Sequence, residues 1–282
     1  MCSVAHHGRI AVFMPTFQCR EWLGNAIRSV VFQNCLDLDL YVADDGGGDV
    51  SDELLTAFPQ VTFLRIKEQS GPYYANNLLL QIVDSEYVGF QDADDWSAPE
   101  RFRVQAEFLE ETGLDGCGTW CLHVDINGDP IGFDVCPGAC DLLPAAVRVS
   151  APFHPTGLYR RKVFDLLGGF DASTRFSGDS EFIWRAHREF SLANVPRFLY
   201  YRRVRPASLT QDSATGINRP AREAYCARIQ AGINALGSAN PAPGRLITGQ
   251  PVEFPPLDCI DWIRPGCGNK TLKHTALAEK RR

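Results

Sequence analysis

The order of patterns along this chain predicts an α/β fold with a mixed, mainly parallel sheet flanked by helices. Three observations lead there. Strand and helix patterns alternate four times between residues 9 and 91, which indicates a parallel sheet covered on both faces. The strand segments are short apolar runs bounded by turn residues, so they read as buried strands. Two acidic clusters, Asp44-Asp45-Gly46-Gly47 and Asp92-Ala93-Asp94-Asp95, each follow such a run. Ligands bind beyond the carboxyl ends of strands in such sheets.

Residues 9–14 (RIAVFM) form the first strand, ended by Pro15. Residues 21–34 place Trp22, Leu23, Ala26, Ile27, Val30 and Val31 at helical spacing, so one face packs on the sheet. A strand at 37–43 leads to a short helix at 50–58, capped by Asp49 or Ser51. A third strand (61–66), a helix (73–85) and a strand (87–91) bring the chain to the second acidic cluster, and a helix follows at 99–112. Beyond Gly113 the texture changes. Residues 119–126 and 131–135 pair as a hairpin around Asn127-Gly128-Asp129-Pro130. Helices return at 161–167 and 180–190. From about Arg228, the prolines 241, 243, 251, 255, 256 and 265 break periodicity and predict a partly ordered tail. The chain thus divides into parts at 1–115, 116–225 and 226–282.

The 282 residues are 45% hydrophobic and 11% aromatic, enough for a sizeable core. A net charge of −6 argues against a nucleic-acid partner. No run approaches the roughly 18 apolar residues of a membrane span. The first nine residues hold no apolar signal core, so a cytoplasmic location is expected. The basic end (Lys270, Lys273, Lys280, Arg281, Arg282) reads as a solvated terminus, with peripheral membrane contact as the weaker alternative. The ten cysteines are expected to be reduced. Cys117-x3-Cys121 and Cys136-x3-Cys140 raise zinc, but the spacing is looser than the usual knuckle and buried thiols are the preferred reading.

Carboxylates crowded at a strand end repel one another unless a cation sits among them. The two clusters therefore predict one site holding a divalent metal and a phosphorylated ligand. Further motifs accompany them in order: Val12-Phe13-Met14-Pro15-Thr16-Phe17-Gln18, Gly71-Pro72-Tyr73-Tyr74-Ala75-Asn76-Asn77, Pro155-Thr156-Gly157-Leu158-Tyr159-Arg160-Arg161, Gly168-Gly169-Phe170-Asp171, Gly178-Asp179-Ser180-Glu181-Phe182 and Arg203-Val204-Arg205-Pro206-Ala207-Ser208-Leu209-Thr210. Taken together, residues 10–210 resemble the inverting family 2 glycosyltransferases with the GT-A (Rossmann-like) fold.

The resemblance makes the first part the nucleotide-sugar-binding half and the second the acceptor-binding half. It implies transfer of a sugar from a nucleotide-diphosphate donor to a hydroxyl of a glycan, a lipid-linked glycan or a protein, with inversion. UDP is the expected nucleotide, with GDP and dTDP as alternatives. Pro15, Thr16 and Phe17 are the implied nucleotide turn, and Asp44 and Asp45 the implied partners of base and ribose. Gly71, Asn77, Asp92 and Ala93 complete the implied donor site, and Asp94, assisted by Asp92, is the implied ligand of Mn²⁺ or Mg²⁺. Arg203 or Arg205 is a candidate for the diphosphate, against a surface ion pair at similar weight. Asp179 falls on the catalytic base, Trp96, His154 and Gly178 on the acceptor side. Three plain alternatives stand beside these: a turn at Asp44-Asp45, a helix cap at Asp95 and a helix N-cap at Asp179.

Two departures are visible. Gly178 stands where the family carries Glu, and Asn76 where many members carry Arg or Lys. Both leave a catalytically silent sugar-nucleotide-binding module as an alternative. A sugar nucleotidyltransferase is the other, but the first strand is not followed by the Gly-rich, basic loop it needs. The Gln-x-x-Arg-Trp motif of processive synthases is absent, so one sugar per encounter is expected.

Overall fold

The computed structural model describes residues 9–34, 37–135, 152–206, 208–211, 216 and 219–273. Four parallel strands form the centre: β1 (Ile10–Thr16), β2 (Leu38–Asp44), β3 (Thr62–Ile66) and β4 (Tyr87–Phe90). They lie in the order β3-β2-β1-β4. The chain therefore winds outward from β1 in one direction and returns to its other side at β4. That reversal opens a crevice beyond the carboxyl ends of β1 and β4.

The strands that follow β4 continue the sheet. β8 (Leu158–Arg160) pairs antiparallel with β4, and β6 (Gly116–Val124) with β8. β9 (Leu192–Arg203) runs parallel to β6, the two-residue β5 (Trp96–Ser97) pairs with β9, and β7 (Pro130–Asp134) forms the hairpin with β6.

Alternation along β1 divides the core. Ile10, Val12 and Met14 pack with α1 (Arg20–Val31) and α4 (Arg101–Thr112). Ala11 and Phe13 face the opposite layer of α3 (Pro72–Ile82), α5 (Lys162–Leu167), α6 (Gly178–Glu189) and α7 (Pro220–Leu236). The short α2 (Asp52–Ala57) is capped by Ser51, whose hydroxyl accepts from Leu54 N–H.

Three expectations are corrected. β1 runs through Pro15 to Thr16 rather than stopping at Met14. The β1–β4 ladder ends at Phe13, so no partner on that side needs the missing proline N–H. Asp179 is not an N-cap: Ser177 holds that position with φ 59°, and Asp179 lies inside the first turn of α6. The third correction concerns the C-terminal segment. Through residue 273 it is built into the domain, as α7 and as β10 (Ile260–Arg264), which closes the outer edge of β3. Burial of Ile229, Ile247 and Ile260 supplies the apolar contact, and Asp39 accepts from Lys270 N–H, Thr271 N–H and the Thr271 hydroxyl. Residues 274–282, with the basic end, lie outside the described residues. Among the described residues, no helix is long and apolar enough to cross a membrane.

α6 is anchored by a buried ion pair. Arg185 bonds Glu181 at 2.7 Å and donates to Leu167 O and Gly169 O, while Glu181 also accepts from Ile247 N–H. Removing the guanidinium strands a carboxylate with no solvent exposure. Arg185→Leu is expected to cost about 3–5 kcal/mol in urea unfolding; a loss under about 1 kcal/mol contradicts this assignment.

Candidate active site

The crevice is walled by loops that carboxylates hold in shape. Asp44 accepts from the backbone N–H groups of Gly47, Gly48 and Val50 and from Arg65. Asp45 accepts from Ser70 N–H and Gly71 N–H, both at 2.8 Å, and burial raises its pKa against the pull of those two bonds. Gly71 caps α3 with φ 98°, a conformation that favours glycine. Asp49, the last residue of the first acidic motif and an expected cap of α2, accepts from the Thr16 hydroxyl at 2.6 Å and from Cys19 N–H. It thereby fixes the Pro15-Thr16-Phe17 turn at the start of α1. The first cluster is thus a knot of turns, as the plain reading of Asp44-Asp45 has it. Each carboxylate offers about four acceptor positions, so Asp45 retains capacity for a ligand.

The second cluster is more open. Asp92, Asp94 and Asp95 each present an oxygen within 4.8 Å of the others, the one group of three potential metal ligands among the described residues. Asp95 is buried, accepts from Tyr200 OH at 2.8 Å and from Arg203 N–H at 2.7 Å, and is held well above the usual carboxylate range by burial and by its two neighbours. Those bonds tie β9 to the loop, so Asp95 caps no helix. Asp94 pairs with Arg205 at 2.6 Å. Asp92 opens to solvent, and its carboxylate has no hydrogen-bond partner among the described residues. The protein mass behind it and the Asp94 charge push its pKa up to about 7. A hard-oxygen set with one unpartnered member fits a small divalent cation, which binds few carboxylates and keeps positions for phosphate.

Asp179 joins this cluster from the opposite wall. Its charge adds to the raising of Asp92 and opposes the lowering of His154 by burial. The ring of His154 packs on Phe90 at 4.5 Å and Phe170 at 5.2 Å, with Nδ1 unpartnered. Thr16, Asp45, Gly71, Asp92, Ala93, Asp94, His154, Gly178 and Asp179 all stand at strand ends, loops or helix starts around the crevice.

Asn77, an implied donor residue, is not available to the donor. It is fully buried, with its amide bonded to Phe170 and Glu253 backbone groups. Arg203 is likewise committed, donating to Asp94 O, Asp125 O and Ile126 O. Trp96 stacks on Tyr201 at 5.3 Å, with the Arg203 guanidinium 5.2 Å from its ring centroid.

Two residues were missed. Among the described residues the Arg202 side chain makes one hydrogen bond, to the Thr210 hydroxyl at 3.3 Å, and its charge lowers Asp92. It adjoins the Arg-x-Arg motif, but only the side-chain direction along β9 separates it from Arg203. Tyr73 donates to Asp179 Oδ1 at 2.8 Å. No spacing rule links residues 73 and 179. Zinc finds no support at Cys117 and Cys121. Both thiols are buried in β6, and burial pushes Cys117 up to about 12, away from the thiolate that zinc needs. Cys136 and Cys140 lie outside the described residues.

The sequence profile described as Glycosyl transferase family 2 matches residues 11–167, more than half of the chain. The chain belongs to glycosyl transferase family 2. This family 2 chain is 29% identical to an uncharacterized glycosyltransferase of Rickettsia felis over 114 residues, 40% of this chain and 19% of that protein. Its identity to the uncharacterized glycosyltransferase EpsJ of Bacillus subtilis is 26% over 219 residues, 72% of this chain and 63% of that one. The chondroitin synthase of Escherichia coli is 21% identical over 200 residues, 68% of this chain and 28% of that protein. The chain thus matches less than two thirds of the length of each of these relatives. The structure of S. aureus TarS 1-349 in complex with UDP-GlcNAc superposes with a TM-score of 0.64 at 18% identity, covering 81% of this chain and 67% of that one. That likeness shows the fold: a mixed α/β domain with a parallel central sheet.

The raised pKa of Asp92 has a consequence for stability. The folded protein binds a proton on Asp92 up to about pH 7, whereas the ordinary carboxyl loses it near 3.8. Stability therefore falls as pH rises through that window. Asp92→Asn removes the penalty. Without divalent metal, the variant should melt about 2 °C above wild type at pH 8, with a smaller gain at pH 5; screening at the open mouth limits the gain. Equal gains at both pH values would show that Asp92 is not the titrating group.

Proposed function

We propose that this chain is an inverting, metal-dependent glycosyltransferase that moves one sugar per encounter from a nucleotide-diphosphate donor, UDP favoured, to a hydroxyl acceptor. The observation that carries the reading is the Asp92-Asp94-Asp95 cluster at the crevice of a parallel sheet, with Asp179 close enough for its charge to register on Asp92. The family membership supports transferase chemistry. The UDP-GlcNAc complex of TarS and the name chondroitin synthase favour a UDP-sugar and a role in polysaccharide or glycoconjugate synthesis. The acceptor class is a glycan, lipid-linked glycan or protein hydroxyl, and the site of action is cytoplasmic, at most peripheral to a membrane.

In this reading Asp94 and Asp92 hold Mn²⁺ or Mg²⁺, which neutralises charge on the departing diphosphate when bound. The acceptor oxygen attacks the anomeric carbon from the face opposite the leaving group. Its proton passes to Asp179 as the glycosidic bond forms, and the bond to the diphosphate breaks with its electron pair leaving on the nucleotide. Asp45 and the Thr16 turn receive the nucleoside. Arg202, whose charge already acts on Asp92, faces the charge that develops on the diphosphate.

A thermal-shift screen of UDP, GDP, dTDP and CMP with and without Mn²⁺ tests the donor site. UDP at a hundred times its Kd should add about 2.7 kcal/mol only with metal, and EDTA should reverse it. In the same assay Arg202→Ala should weaken UDP about tenfold or more while uridine is unaffected. No response to any nucleotide overturns the donor assignment. Asp179→Asn should retain UDP binding while UDP release from the sugar donor falls about 10²–10⁴-fold; wild-type turnover in that variant rejects Asp179 as the base.

A further inference from the structure

One buried side chain places its hydroxyl directly on Asp179. Tyr73 lies in the first turn of α3 and is 6% exposed. Its ring packs on Phe170 at 5.8 Å, and its hydroxyl reaches across to α6, donating to Asp179 Oδ1 at 2.8 Å. Asp179 Oδ2 has no partner among the described residues.

The start of α6 is shaped around this ring. A Cβ on residue 178 would stand 2.8 Å from Tyr73 Cδ2 and 2.7 Å from Asp171 O, closer than side-chain carbons approach. Only glycine lets the ring lie against the helix start. Gly178 therefore has a specific physical cause: the space that a side chain would take is occupied by the tyrosine. The preceding Ser177, at φ 59°, receives Arg222 Nη1 at 3.2 Å from α7, which steadies the turn that presents Asp179.

We propose that Tyr73 is the positioning residue of the Asp179 base, holding Oδ1 by its hydroxyl so that Oδ2 faces the acceptor, with Gly178 as the clearance its ring requires. This rests on the reading of Asp179 as base. A hydrogen bond donated to one carboxylate oxygen fixes the rotation of the group. The phenol keeps the proton it donates, because burial and the Asp179 charge hold its own pKa well above 10. The other charged or titratable groups facing Asp179 are Asp92 from the loop after β4, His154 from the turn before β8, and Tyr159 from β8.

Tyr73→Phe keeps the ring and removes the donor, so it separates packing from positioning. The first readout needs no substrate: the NMR chemical shift of the Asp179 side-chain carboxyl carbon in wild type and variant at about pH 8. Loss of the hydrogen bond is expected to move that resonance in Tyr73→Phe. The second readout is UDP release from UDP-GlcNAc with Mn²⁺. The expected result is about a tenfold lower kcat with unchanged donor KM. An unmoved resonance overturns the proposal whatever becomes of the base. A moved resonance with wild-type kcat overturns it as well, because the contact then has no catalytic consequence. Failure of the base reading looks different: Asp179→Asn then turns over like wild type.

Discussion

The site depends first on one buried cation. Arg101 has no solvent exposure, and all five of its N–H donors are committed: to Gln105 Oε1, Gln91 Oε1, the Ser97 hydroxyl, Phe90 O and Pro155 O, at 2.9–3.1 Å. Phe90 and Gln91 launch the loop that carries Asp92, and Pro155 follows His154 directly. One rigid fork thus sets the loop of the second acidic cluster and the His154–Thr156 turn relative to each other. Burial lowers its pKa to about 10, still above neutrality, so the fork stays charged and donates at every position. A guanidinium suits this task because its five donors are planar and fixed in direction.

The acidic residues divide by what already bonds them. Asp44, Asp45, Asp49 and Asp95 accept from backbone N–H groups, which makes them the fasteners of the Pro15-Thr16-Phe17 turn, the α3 entry and the β9 approach. Among the described residues, Asp92 and one oxygen of Asp179 are left without such partners. A carboxylate satisfied by the backbone is a structural element; one held in place yet unsatisfied is available for a cation or a proton. Asp94 stands between the two groups, since Arg205 neutralises it. The crowding that would destabilise this loop is relieved in part by that pairing, while burial and the neighbouring charges push Asp92 and Asp95 above the usual carboxylate range.

The C-terminal segment has a structural part in this arrangement. β10 covers the edge of β3, which would otherwise expose a row of unpaired backbone groups. α7 sends Arg222 to Ser177, and Tyr225 and Arg228 to Asp171, on the two sides of the turn that precedes Asp179. The prolines that disrupt periodicity in this segment fall largely between α7 and β10, in irregular backbone fixed by contacts with the body of the domain.

The local sequence determined the alternation of strands and helices, the placing of both acidic clusters at strand ends, and the family. These depend on residue spacing and on ordered motifs, which are local and survive without knowledge of the contacts. It also located Asp92, Asp94 and Asp179 as chemically interesting, because their motifs are contiguous. Tertiary structure alone decided which groups are free. Asn77 and Arg203 match motifs but are consumed by Phe170, Glu253, Asp94, Asp125 and Ile126. Tyr73 matches no catalytic motif, yet it meets Asp179 across 106 residues of chain. The physical reason is that availability of a polar atom is set by every donor and acceptor around it, and most of those arrive from distant segments through packing that residue spacing does not encode.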